Sequence, residues 1–268
     1  MRLYDYPHPL KPGRIIRGYD RAHALRTARM CAAVAAALGH DADRVRQYQI
    51  ACLLHDLGRA GLDRQLFGKI WSWAKAHGIP TRPREWRAIH PETAYGRETE
   101  AFIGRYRKDL EADGIAMTPW AKEQVEMRLG YGRRLARRLR AVRAPIKQMG
   151  VRWEPWMQRV MLYYYYPEKL TGVKPWTKQL AEILVACEQF EAYSNQRRGR
   201  DYYVRNKETI ADAFAYLEKL EREGILSREV MRALKRLAAG GEFDGIIAEA
   251  RGHRLTQKEK TLLRQMEH

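Results

Sequence analysis

The chain has 268 residues, 45% of them hydrophobic, which suits one large domain or one domain with appended helices, and no apolar run approaches the length of a membrane span. Fifty Lys and Arg stand against 32 Asp and Glu, a formal net charge of +18, which points to anionic partners, phosphate-containing ligands or nucleic acid. The first eleven residues lack the apolar stretch of a leader peptide, and Cys31, Cys52 and Cys187 fit neither a disulfide framework nor a zinc ribbon, so a cytoplasmic protein with buried, reduced thiols is expected.

Helical periodicity dominates and no stretch sustains strand alternation, so the expected class is all-α. Asp20 is placed to cap a helix over 22–38 that stops at Gly39, and Asp41 to cap one over 42–57 that stops at Gly58. Asp63 starts a third helix through Phe67, Ile70 and Trp73 to Gly78. Residues 79–83 read as a turn-rich connection, followed by short helices over 85–89 and 91–106. From about 107 to 153 the composition changes, and between Arg128 and Lys147 there are eight basic residues and no acidic one. Leu129, Leu135, Leu139 and Val142 lie close to helical spacing, so this is expected to be a basic amphipathic helix. Its Arg133, Arg134, Arg137 and Arg138 are either an ordinary solvated face or a surface that meets phosphate or nucleic acid. Helices over 155–165 and 176–195 come next. After Arg205, Ile210, Phe214, Leu217 and Leu220, then Val230, Leu234 and Leu237, mark two or three amphipathic helices, with a turn at Gly240 and Gly241 and a small tail over 255–268.

The residues that carry chemistry are polar side chains inside apolar segments. His55 and Asp56 end the apolar run Ala51-Cys52-Leu53-Leu54, where two strongly polar groups are expensive to bury unless something satisfies them. A metal ion does so, and imidazole with carboxylate suits iron, manganese, zinc or nickel. His23 lies on the preceding helix and faces that pair if the two helices pack antiparallel. His90 opens the segment after residue 89, and Glu188 sits in a stretch apolar on both sides, which favours an inward, partnered carboxylate.

Taken in order, these pieces resemble the HD superfamily of metal-dependent phosphohydrolases, and within it the HD-GYP branch of cyclic-dinucleotide phosphodiesterases. His23 matches the first ligand histidine, and Leu53-Leu54-His55-Asp56-Leu57-Gly58-Arg59 the HD helix. Residues 81–96, ending in His90-Pro91-Glu92-Thr93-Ala94-Tyr95-Gly96, match the segment that brings the next histidine, and residues 183–197 the helix with the last acidic ligand, here Glu188. The likeness covers roughly 19–203, apart from the basic insertion. It implies an HD-type helical bundle over 1–205 with a helical insertion at about 107–153, and a C-terminal helical extension over 206–268 packed on it.

The departures are as informative. Tyr165 and Tyr166 stand where the family has paired histidines, Gly172 is followed by Val173-Lys174-Pro175 instead of the Gly-Tyr-Pro signature, and Arg59 replaces a lysine. The resemblance therefore implies one divalent transition metal (Fe, Mn, Zn or Ni) on His23, His55, Asp56 and Glu188. A second site, bridged by Asp56 and reaching His90, is expected to be weak or empty. The implied reaction is hydrolysis of a nucleotide or cyclic-dinucleotide-like phosphoester by a metal-bound hydroxide, with Asp56 holding metal and nucleophile, Arg59 clamping a phosphate oxygen, and Tyr165 or Tyr166 meeting the substrate. The alternative is a catalytically impaired HD-fold binding module for nucleotide or nucleic acid, keeping a residual structural metal site. A third reading, a di-iron oxygenase, is opposed by the missing ligands.

Overall fold

The structure is a computed structural model and describes residues 2–17, 21–194 and 209–266. It is 70% helical, with fourteen α-helices and a single two-stranded sheet among the described residues, so the all-α class holds. The sheet pairs β1 (Tyr6–Pro7) with β2 (Ile15–Ile16) antiparallel, Tyr6 opposite Ile16; two-residue strands are too short for an alternation pattern to reveal. The helices are α1 (Arg21–Ala37), α2 (Ala42–Leu54), α3 (Arg64–Ala76), α4 (Pro83–Ile89), α5 (Glu98–Ala112), α6 (Pro119–Leu129) and α7 (Tyr131–Ala141). They continue as α8 (Arg143–Gln148), α9 (Pro155–Leu162), α10 (Pro175–Ser194), α11 (Ile210–Arg222), α12 (Arg228–Ala239), α13 (Asp244–Arg251) and α14 (Gln257–Gln265).

Two of the expected caps are present. The Asp41 carboxylate accepts from the amide of Arg44 at 2.8 Å, and that of Asp63 from the amides of Gln65 and Leu66, both at 3.1 Å. The Asp20 cap lies outside the described residues. Several boundaries differ from expectation. α2 ends at Leu54, and Asp56 leaves helical geometry at φ −96°, ψ 11° before a 3-10 turn at Leu57–Arg59, so His55 and Asp56 stand beyond the helix, not within it. The helix expected over 91–106 begins only at Glu98, because the chain first turns through Gly96 at φ +80°. The single basic helix is three helices: the chain breaks at Gly130, where a Cβ would run into the Glu126 and Thr99 side chains, and again at Val142. α9 stops at Leu162, three residues short, as the chain turns through Tyr163 to Tyr165.

Among the described residues the chain divides into two units. One holds residues 2–17, 21 and 56–149, the other 22–55, 150–194 and 209–266. The boundary expected at 205/206 lies outside the described residues; α11 to α14 share their unit with α2, α9 and α10.

In the first unit, α3, α5 and α6 enclose a core of Phe67, Ile70, Trp71, Phe102, Val125 and Leu129. Trp71 is fully buried, its ring 5.5 Å from Phe102 and 6.0 Å from Phe67. In the second unit, α10 is central and packs against α9, α11, α12 and α13. Every residue from 180 to 191 is buried, so this stretch carries no solvent stripe, and its Glu182, Glu188, Gln189 and Glu191 are buried polar groups in an otherwise apolar run. No helix is long and apolar enough to cross a membrane among the described residues.

Truncating Trp71 to alanine should lower unfolding free energy by about 3–5 kcal/mol, read from urea unfolding followed by circular dichroism; a loss below about 1 kcal/mol would show that the indole does not organise the core.

Candidate metal centre

The first turns of α1 face inward. His23 and Arg26 are 3% and 6% exposed, and Thr27 is fully buried. On α10, Glu191 is 1% exposed and joins them: one carboxylate oxygen pairs with Nδ1 of His23, and the other accepts from Nε of Arg26 at 2.6 Å. The Glu191 carboxylate already accepts from the Arg26 guanidinium, and accepting from His23 as well makes Nδ1 the donor of the pair. His55, at the end of α2, has its Nδ1 2.6 Å from the carbonyl oxygen of Cys52. A carbonyl has no proton to give, so this Nδ1 is also the donor.

In both rings Nδ1 is turned to an acceptor, which leaves Nε2 as the nitrogen a metal would use. Their centroids are 5.3 Å apart in an edge arrangement. The next residue, Asp56, is 3% exposed, and ligand atoms of His23, His55 and Asp56 all lie within 4.8 Å of one another. Three buried side chains with convergent lone pairs can hold a metal ion, and fixing the outer ring nitrogen of a histidine is how proteins orient it for ligation. Two imidazoles and one carboxylate suit a first-row divalent metal.

The thiols take no part in such a group. Cys31, Cys52 and Cys187 are free and fully buried, as expected. Burial pushes the thiols of Cys52 and Cys187 well up, so both stay protonated at neutral pH and serve as small packing groups.

The other expected site residues are placed as follows. Glu188 is buried at 9% exposure but is not part of the mutually close group, and Glu191, one helical turn on, is the carboxylate that meets His23. His90 caps the end of α4, its ring 4.3 Å from that of Trp86 and its Nδ1 3.7 Å from Glu92; it too is outside the group. Arg59 reaches back to Asp56, Nε to Oδ1 3.3 Å. Tyr165 and Tyr166 are 7% and 3% exposed, so neither presents a ring face to a base in this structure. Tyr163 is buried as well and donates to the carbonyl of Ile225 at 2.8 Å, while Tyr164 meets the Tyr216 hydroxyl at 2.8 Å.

In the basic insertion, one of the four expected surface arginines is not on the surface. Arg134 is 1% exposed and belongs to no surface. Arg137 grips Glu126 through both terminal nitrogens, Arg133 reaches Glu100 at 3.2 Å, and Arg138 donates to the carbonyls of Leu3 and Asp5 at 3.1 and 3.2 Å. Of the four, Arg134 alone is buried; Arg133 and Arg137 keep about a third and half of their side chains exposed while paired with glutamates. The sequence reading missed Glu191 and Arg26. Both had a signal: Glu191 lies three residues after Glu188 in the same apolar segment, and Arg26 lies three after His23 in an alanine-rich helix, so each shares a face with a residue already singled out.

No family model, no curated protein and no solved structure matches this chain.

Removing the charge that orients His23 should weaken metal binding without abolishing it. In competitive titrations with Mn²⁺ or Zn²⁺, Glu191→Gln is expected to lose about 10–100-fold in affinity, whereas unchanged affinity would mean that His23 needs no orienting partner.

Proposed function

We propose that this chain is a metal-dependent phosphohydrolase of the HD type, acting on a phosphoester of a nucleotide or cyclic-dinucleotide-like substrate. One observation carries the reading: His23 on α1 and His55 just past the end of α2 both have Nδ1 turned to an acceptor and stand within 4.8 Å, ligand atom to ligand atom, of Asp56. The order His, then His-Asp, is that of the HD superfamily the sequence resembles. A divalent metal held there lowers the pKa of bound water and supplies hydroxide at neutral pH.

The chain's own residues do the rest. Glu191 and Arg26 hold the His23 ring, and the Cys52 carbonyl holds that of His55. Asp56 supplies the anionic ligand. Arg59, now 3.3 Å from Asp56 and 15% exposed, offers a planar fork that suits two phosphate oxygens at once. The formal charge of +18 draws an anionic substrate toward the protein from any side.

A second reading, a catalytically impaired HD-fold module that keeps a structural metal, has a specific observation in its favour. His90 stands outside the close group, and Tyr165 and Tyr166 are buried aromatic side chains where the family has ligands. This supports a single ion and no companion site.

The test is elemental analysis of the purified protein together with hydrolysis of bis-(p-nitrophenyl) phosphate in added Mn²⁺ or Fe²⁺. About one equivalent of a first-row metal and a measurable turnover, reduced at least about 100-fold in His55→Ala and in Asp56→Ala, are expected. Metal without turnover would select the binding module; turnover surviving in Asp56→Ala would sink the hydrolytic mechanism.

A further inference from the structure

The arginine-rich helix α7 packs directly on the 3-10 turn Leu57–Arg59 that follows Asp56. At the contact, Arg134 donates from Nε to the Gly58 carbonyl and from Nη2 to the Ala60 carbonyl, both at 2.7 Å. Its third nitrogen, Nη1, donates to Glu123 at 2.7 Å, and the same carboxylate oxygen accepts from the Tyr6 hydroxyl at 2.8 Å. The guanidinium also lies 5.3 Å over the Tyr6 ring. One planar fork thus ties two backbone carbonyls, two residues apart, to a charged anchor in α6. A lysine, with a single point of charge, cannot reproduce this.

The neighbouring glycines show how closely the turn is held. A Cβ on Gly58 would stand 2.6 Å from Cε2 of Tyr131, a fully packed ring on α7. Gly61 sits at φ +84°, and a Cβ there would stand 2.6 Å from Cδ1 of Tyr6. Within the turn, the amide of Arg59 donates to the Asp56 carbonyl at 2.8 Å and that of Ala60 to the Leu57 carbonyl at 3.1 Å. The backbone that carries Asp56 and Arg59 is therefore fixed by its own hydrogen bonds, by α7 and by the N-terminal hairpin.

We infer that Arg134 is a positioning residue: through the Gly58 and Ala60 carbonyls it sets where the Asp56 carboxylate and the Arg59 guanidinium stand. The insertion's role is then to brace the Asp56 turn, and the basic residue at its centre is selected for fork geometry. The inference rests on the metal reading for its consequence at Asp56, while the brace itself is a property of the metal-free chain.

Two readouts on the full-length protein test it, in Arg134→Met, Arg134→Lys and an exposed control, Arg140→Met. The first is amide hydrogen exchange without metal. Exchange over residues 57–61 should rise at least about tenfold in both Arg134 variants, with α10 unchanged, because local opening is no longer opposed by the fork. The second is Co²⁺ titration followed by visible absorption. Both Arg134 variants should bind about 10–100-fold more weakly, with an altered d–d band, and Arg140→Met should match wild type. The lysine variant keeps the charge, so its failure to rescue separates fork geometry from net charge, and it stands in if the methionine variant does not fold. Folded variants with wild-type exchange over 57–61 and a wild-type cobalt spectrum, whatever their melting temperature, would overturn the inference. If wild type itself takes up no cobalt, the metal reading falls, and the exchange rates alone decide the brace.

Discussion

Burying ionised and polar groups in a helical core is tolerable only when each finds a partner, and that constraint organises this protein. α10 is buried along twelve consecutive residues, 180 to 191, and carries three glutamates there. Glu182 accepts from the amide of Ser227 at 3.0 Å, and Glu191 is shared between His23 and Arg26. Such arrangements add little net stability, since desolvation offsets most of the attraction. Their effect is geometric: they leave one low-energy placement for the rings and carboxylates involved. The His23 tautomer follows from Glu191, and the His55 tautomer from the Cys52 carbonyl. The convergence of His23, His55 and Asp56 is thus built from acceptors that lie outside the group itself.

The same accounting explains the arginines. A net charge of +18 describes the whole chain and says nothing about which cations face solvent. Arg134 is buried against backbone carbonyls, and Arg133 and Arg137 are paired with glutamates of α5 and α6. Glu98, fully buried, is matched by Arg87. Several of the positive charges in the first unit are therefore structural counterparts of buried carbonyls and carboxylates. The net charge sets the long-range field of the molecule, and at the contact with Leu57–Arg59 the cation of α7 that counts, Arg134, is turned inward.

A three-residue donor group differs in kind from a two-metal site. Three donors of this kind could hold one ion, which would lower the pKa of a water bound to it. They do not offer the paired clamp on attacking and leaving oxygens that two adjacent metals provide. The buried tyrosines agree with this economy. Tyr163 and Tyr164 use their hydroxyls on Ile225 and Tyr216, so the aromatic run works as a packing and hydrogen-bonding element of its own unit.

Much of this was legible in the sequence, because helices and caps depend on neighbours in the chain. The periodic apolar positions of α3, α11 and α12 and the caps Asp41 and Asp63 follow from local physical chemistry. The prominence of His23, His55 and Asp56 did too, since polar residues at the edges of apolar runs need an explanation wherever the chain goes. What the sequence could not decide was partnership. Glu188 and Glu191 are both acidic residues in one apolar helix, and only the rotation of α10 against α1 selects Glu191 for His23. An Arg-rich stretch looks the same whether its cations face water or fork onto carbonyls, and only the packing of α7 against Leu57–Arg59 buries Arg134. Local periodicity fixes which residues share a face; which partner that face meets is set by contacts between residues far apart in the chain, and only the tertiary structure decides those.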